Sequence, residues 1–248
     1  MAISLKDLQS PKKRASVFTL VGDGGMGKTT LASMFPAPVF IRTEDGTRSI
    51  SEKKDVALFP VCLSVKDVME QITVLLKEEH SFKTLVIDSI TKFNGLAEKE
   101  TIAADGKAKS LNQAGGGYGA GYSIVNEVHR SFRDLCARLC IEKNMNIVFI
   151  AHADTETVNL PDSEPFTRYC MRMNQKFISH YTDDVDLVGF IKLKVYTSGE
   201  NEVKKAVSDG SRVVVCYPTP ANVSKNRFGI TKDLFFALNE FPFKEILA

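Results

Sequence analysis

The sequence predicts an α/β chain: a mainly parallel central sheet flanked by helices, with a β-rich C-terminal extension. Three observations carry that expectation. A glycine-dense loop at residues 22–30 sits between a β-branched run and a helical one. Short apolar runs then alternate with amphipathic ones as far as residue 181, the signature of strands joined by covering helices. Beyond that point, β-branched segments succeed one another with turns between them.

The elements follow in order. Met1–Arg14 form an N-terminal segment whose Lys12-Lys13-Arg14 run reads as solvated, and residues 15–248 read as one domain. Ala15–Val21 is apolar and β-branched, as a buried strand requires, and Thr29–Phe35 is a short helix stopped by Pro36. Pro38–Ile41 is a short strand delivering Glu44-Asp45-Gly46-Thr47, and Ala57–Leu63 fits another. Ser64 caps an amphipathic helix to Glu79, with Val68, Ile72 and Leu75 on one face. Thr84–Ser89 is an apolar strand ending in a carboxylate, Asp88.

Glycines at 106, 115, 116, 117, 119 and 121 are too dense for a helix or a packed strand, so residues 105–122 read as a mobile loop. Its Tyr118 and Tyr122 either stack on unpaired bases or pack back onto the domain; Lys107 and Lys109 suit the first. A core-covering helix spans about Tyr122–Lys143, with His129 as a surface or packing residue. Asn146–Ala151 is a buried strand delivering His152, which either senses a phosphate or caps the strand. Residues 153–170, with Pro161 and Pro165, read as a second long loop, and Arg168 and Arg172 add charge to it. A helix to Tyr181, a strand over Asp186–Tyr196, a turn at 198–201, strands over Val203–Val207 and Ser211–Tyr217, and a last helix from about Thr231 through Leu234, Phe235 and Leu238 complete the chain.

The loop itself reads as a phosphate cradle. Gly22, Asp23, Gly24, Gly25, Met26, Gly27, Lys28, Thr29 and Thr30 match GxxxxGK[ST] without a mismatch. The glycines let backbone N–H groups converge on phosphate oxygens, Lys28 reaches the outer phosphates, and the Thr29 hydroxyl serves Mg²⁺. In a parallel sheet, ligands lie beyond the carboxyl ends of the strands, so Glu44, Asp88 and His152 are the polar residues to weigh. Asp88 suits Mg²⁺ opposite Thr29, usually through water. Ser89 follows it, so a catalytic glutamate must come from elsewhere, and Glu44 can orient water for in-line attack.

Composition bounds the partners. The 248 residues are 44% hydrophobic, enough for a sizeable core, and carry a formal charge of only +2, so a nucleic-acid surface must be a local patch. Residues 168–232 hold 11 Lys/Arg against 6 Asp/Glu. Five cysteines, unpaired in spacing, read as reduced packing thiols; Cys136 and Cys140 share a helix face without a second metal-ligand pair. No segment approaches a membrane span and the polar start lacks a secretory stretch, so a cytoplasmic protein is expected.

These residues together resemble a RecA-like P-loop ATPase core over roughly residues 15–235. Phe40–Glu44 is similar to the RecA strand that carries the catalytic glutamate, Val86–Ser89 to its magnesium strand, and Phe149–His152 to its phosphate-sensing strand, where His152 replaces the usual glutamine. Lys225-Asn226-Arg227-Phe228-Gly229 resembles the KNRFG motif of the RadA branch, and similar Lys-x-Arg pairs occur in DnaB-type helicases. The resemblance implies that Lys225 and Arg227 reach into a neighbouring subunit's nucleotide. A bare core of this size is most similar to phage-encoded RecA-like ATPases of single-strand annealing and recombination. That implies ATP and Mg²⁺ as cofactors, a homo-oligomeric ring or filament, single-stranded DNA held by residues 105–122 and 153–172, and a single-strand DNA-binding protein as a further partner. The bacterial host cytoplasm is then the expected location. Two other classes remain open: a helicase or helicase-loader motor, and a nucleotide-gated switch that holds a protein partner without DNA.

Overall fold

The computed structural model describes residues 14–198, 205–237 and 240–247, with Ser4, Leu8 and Ser10, and leaves the side chains of 196–198 and 205–207 undescribed. Six strands run parallel: β1 (Val17–Gly22), β2 (Pro38–Arg42), β3 (Ala57–Val61), β4 (Thr84–Asp88), β5 (Asn146–Val158) and β7 (Leu187–Leu193). Two antiparallel strands extend the β7 side, β10 (Arg212–Val215) and β12 (Leu234–Phe236). The order across the sheet is β12-β10-β7-β1-β5-β4-β2-β3. The expected α/β class, mainly parallel sheet and β-rich C-terminal part are all present.

Period-two alternation sorts the strand residues between two cores. Ile41, Ile87, Ile147 and Phe149 face α2 (Val65–Lys77), α3 (Ile90–Ala104), α4 (Ala120–Glu142) and α5 (Gln175–Thr182), where Ile72, Phe93, Phe132 and Tyr181 meet them. Phe18, Leu20, Phe40, Val86 and Val148 face the other way, onto the short α1 (Lys28–Ala32), Phe35, Phe236 and Phe243. With covering layers on both faces, the central strands are uniformly apolar, which is why they read so clearly. Helix α2 begins with a capping box in which the Ser64 hydroxyl accepts from Asp67 N and the Asp67 carboxylate accepts from Ser64 N.

Several expectations are corrected. Residues 153–170 are not a loop. β5 runs on past the sheet and pairs antiparallel with β6 (Phe166–Met171), from Ala153 opposite Met171 to Val158 opposite Phe166. Only 159–165, with its two prolines, forms the tip of this arm, and the β-branched and aromatic residues Thr155, Thr157, Thr167 and Tyr169 supply its strand character. Residues 105–119 fold back on the domain, with Leu111 and Ala114 buried and a 3₁₀ turn at Ala114–Gly116. Tyr122 packs near Phe177 under the Lys176 ammonium, whereas Tyr118 is fully exposed. The last helix is instead β12, with Leu238 outside the described residues, and a single turn α6 (Lys244–Leu247) follows it. Helix α3 fills a stretch with no sequence assignment. Residues 196–198 and 205–207 pair as β8 (Tyr196–Ser198) and β9 (Lys205–Val207), and the short β11 (Lys225–Asn226) pairs with the start of β7. Among the described residues no helix is long and apolar enough to cross a membrane.

Candidate functional site: a phosphate loop at the carboxyl edge of the sheet

β1 ends at Gly22, whose α-carbon has no room for a side chain: a Cβ there would stand 2.8 Å from the Ile191 carbonyl of the adjacent β7. The chain then turns through Gly25 (φ 77°) and Gly27 (φ 85°), left-handed positions that favour glycine. Nothing lies within 4 Å of where side chains on Gly24 or Gly25 would go, so the loop's inner surface is open backbone. Asp23 is exposed and its carbonyl accepts from Met26 N at 3.4 Å, and the Met26 side chain leans on the α1-side core. Gly27 hands the chain to α1, which carries Lys28, Thr29 and Thr30.

The Lys28 ammonium is folded over the loop and donates to the Gly22 and Asp23 carbonyls at 2.8 Å each. Burial lowers its pKa, and the carboxylates of Asp88, Glu44 and Asp23 oppose that shift. The Thr29 hydroxyl donates to Asp88 Oδ2 at 2.8 Å. Asp88, the last residue of β4, is buried, and burial raises its pKa, only partly offset by the Thr29 hydrogen bond. A hydroxyl and a buried carboxylate converging beside a phosphate loop match the donor set of a hard divalent cation, so Thr29 and Asp88 fit Mg²⁺.

The β2 end is stitched to the β4 end. Thr43 N donates to the Asp88 carbonyl at 2.8 Å, and the Thr43 hydroxyl donates to the Ser89 carbonyl and accepts from Ser89 N, each at 2.9 Å. This fixes the next residue, Glu44, over the cradle. Glu44 Oε1 lies 3.0 Å from His152 Nε2, and that hydrogen bond holds the Glu44 carboxyl below the usual carboxylate range against the opposing effect of burial. His152 is also where β5 leaves the sheet and the arm begins; its carbonyl accepts from Arg172 N, just past the end of the returning strand, at 2.8 Å.

Lys28, Thr29, Thr30, Glu44, Asp88 and His152 thus line one cavity of about 620 Å³ with the loop glycines. Lys225 and Arg227 do not join it. Asn226 pairs with Leu187 at the amino end of β7, while Gly22 lies opposite Ile191. Lys225 Nζ donates to the Asp183 carbonyl at 2.5 Å, and Arg227 Nη1 to Asp186 Oδ1 at 3.1 Å. Five residues of strand from Asp186 to Ile191 separate them from the phosphate loop by roughly 16 Å. Both cations therefore lie at the opposite edge of the sheet from this chain's own cradle. On the arm, the Arg168 guanidinium is paired with Glu156 at 2.6 Å.

Sequence reasoning missed three lining residues, Ser49, Lys53 and Arg212, and Arg212 comes from farthest along the chain. It opens β10 opposite Leu193, and because β10 is antiparallel to β7 its first residue falls at the carboxyl edge, beside the cradle. The basic residue after Gly210 was visible, but the polarity of the strand pairing that places it is a non-local property.

No curated protein matches the chain. A family model described as an AAA domain matches residues 14–228, nearly the whole length, and spans every strand that contributes a residue to the cavity. The chain therefore belongs to the AAA domain family and is a nucleotide-binding P-loop ATPase.

Proposed function

We propose that this protein is a Mg²⁺-dependent ATPase of RecA-like type that binds single-stranded DNA as a homo-oligomer, ring or filament, and serves phage-type recombination or annealing in the host cytoplasm. One observation carries the catalytic part: four strand ends bring Lys28, Thr29, Glu44, Asp88 and His152 to a single cavity. Lys28 and the loop N–H groups hold the phosphates. Thr29 and Asp88 hold Mg²⁺, which when bound offsets charge on the phosphate oxygens. Glu44 orients the attacking water and takes its proton; its depressed pKa keeps it ionised for that purpose at neutral pH. His152, hydrogen-bonded to Glu44, responds to a γ-phosphate through the same contact.

The DNA part is supported by continuity of the backbone. The arm at 153–171 starts at His152, so anything that tilts the arm acts on the partner of Glu44. The segment at 105–122, with exposed Tyr118, is the other candidate surface. Assembly is supported by the position of Lys225 and Arg227, which are remote from their own cradle and partly exposed, as cations acting on a neighbour's nucleotide must be.

The Glu156–Arg168 pair favours one rival reading. It neutralises a cation on the arm that would otherwise meet phosphate, which suits a nucleotide-gated surface for a protein partner. Steady-state ATP hydrolysis with and without single-stranded DNA, at two salt concentrations and several protein concentrations, separates the two. Salt-sensitive stimulation by DNA, with activity rising more than linearly in protein, is the expected result. Hydrolysis indifferent to DNA, with no DNA binding at low salt, transfers the proposal to the protein-partner switch.

A further inference from the structure

Three cations line the cavity: Lys28, Lys53 and Arg212. Two of them are engaged. Lys28 holds the Gly22 and Asp23 carbonyls, and Lys53 Nζ donates to the Ser33 hydroxyl at 2.8 Å. The two lining acids are also engaged, Glu44 with His152 and Asp88 with Thr29. Arg212 is different. Among the described residues its guanidinium makes no hydrogen bond or ion pair, and its Nε is sealed from solvent without a partner. A buried donor left without an acceptor is costly, and more so when it is charged.

The position of that fork is set by the rung it belongs to. Arg212 pairs with Phe236 across β10 and β12, so both side chains leave the sheet on one face. They meet the phosphate loop together. A Cβ on Gly27 would stand 3.0 Å from Phe236 Cε1 and 3.8 Å from Arg212 Nη1. The ring braces the loop at the residue before Lys28, and the guanidinium lies beside it, facing the same cavity.

We infer that Arg212 is a phosphate-binding residue of the nucleotide site, supplied by the β-rich C-terminal extension of the same chain. The Nη end of the guanidinium faces the cavity with no acceptor of its own, and a phosphate beside the loop supplies one. The inference rests on the nucleotide reading above and adds a function for β10 and β12: they carry a further cation to the cradle, beside Gly27. Sequence-distant Arg212 and Lys28 then hold the phosphate chain together.

Isothermal titration of Mg-ATP, ADP and AMP into the full chain tests this, comparing wild type with Arg212→Met, which keeps the stem's packing on Phe236 but removes the fork, and with Arg212→Lys. The expected result is a loss of at least about 10-fold in affinity for ATP and ADP with Met, a smaller change for AMP, and partial recovery with Lys. The nucleotide-free melting temperature of Arg212→Met should not fall, since the fork has no partner to lose. Wild-type binding with unchanged affinities in both variants overturns the inference alone. Equal losses for ATP, ADP and AMP overturn the assignment to the outer phosphates, and a melting temperature lowered without nucleotide makes Arg212 a structural residue. A wild-type chain that binds no nucleotide removes the nucleotide reading and this inference with it.

Discussion

The Thr29 hydroxyl donates to the Asp88 carboxylate across 2.8 Å, joining the residue after the phosphate-loop lysine to the end of β4. The bond occupies a buried carboxylate whose pKa burial has raised above its ordinary 3.8. A raised carboxyl contributes stability that is complete below pH 3.8 and is lost as pH rises through the folded value, so the charge on buried Asp88 weakens the nucleotide-free fold. Asp88→Asn keeps the shape and an acceptor for Thr29 but removes the charge. It should raise the nucleotide-free melting temperature at pH 7 and reduce Mg-dependent turnover by about 100-fold or more. A variant that is both less stable and fully active would remove Asp88 from the metal site.

Glu44→Gln separates binding from chemistry. The amide still reaches His152, so the cavity keeps its form, but no group remains to accept a proton from water. Turnover should drop about 100- to 10,000-fold with nucleotide affinity changed by less than about threefold. Affinity measured by titration and single-turnover hydrolysis check the two halves independently, and undiminished hydrolysis would leave Glu44 without its role.

Lys28→Ala should act on both affinity and turnover. In the nucleotide-free chain the ammonium ties down two loop carbonyls, so the variant also loses about 1–3 kcal/mol of stability. Nucleotide added at saturating concentration to wild type should raise its melting temperature and leave that of Lys28→Ala nearly unmoved.

What the sequence made legible follows from where the chemistry is local. A phosphate cradle needs glycines, a lysine and a hydroxyl within nine consecutive positions, so Gly22–Thr30 could be read directly. Glu44, Asp88 and His152 were reachable because each stands at or just past the end of a buried apolar run: Asp88 closes β4, Glu44 follows β2 by two residues, and His152 follows the apolar first half of β5. The rest depends on partners far along the chain. Helix α3 hides because Asn94 and Gly95 interrupt its apolar stripe, and Asn94 is there to meet His129, 35 residues away. Leu234, Phe235 and Leu238 are spaced for a helix, yet pairing with β10 makes Leu234–Phe236 a strand, with Phe236 buried and Phe235 exposed. The arm needs both of its strands at once, and Arg212 needs the polarity of a neighbour.

His129 sets an acid limit on the fold. It is fully buried between the Tyr181 hydroxyl at 2.7 Å and the Asn94 amide oxygen at 3.0 Å, and burial lowers its pKa from 6.5 to about 3. A depressed histidine contributes stability that is present above pH 6.5 and lost as pH falls toward the folded value, because only the unfolded chain takes up the proton. The loss should reach on the order of 3 kcal/mol by pH 4. Urea unfolding from pH 7 to pH 4 measures it, and His129→Gln should flatten that slope while lowering stability at pH 7.

Lys225 and Arg227 give the sharpest test of assembly, because their contacts in one chain are all structural. Arg227 grips Asp186, whose other carboxylate oxygen accepts from Val17 N at 2.9 Å at the start of β1, so the pair also ties β7 to β1. A drop in activity on Arg227→Ala could therefore come from the fold alone. Mixing removes that ambiguity. Lys28→Ala has a broken cradle and intact Lys225 and Arg227; Arg227→Ala has the reverse. If Arg227 acts on a neighbour's nucleotide, a mixed assembly contains interfaces with an intact cradle on one side and an intact arginine on the other. Equal mixing should then restore hydrolysis to about a quarter of wild type, the fraction of such interfaces under random assembly. Arg227→Lys should retain part of the activity if charge alone suffices across the interface. No recovery in the mixture, from variants that each fold and co-assemble, confines Arg227 to its bond with Asp186.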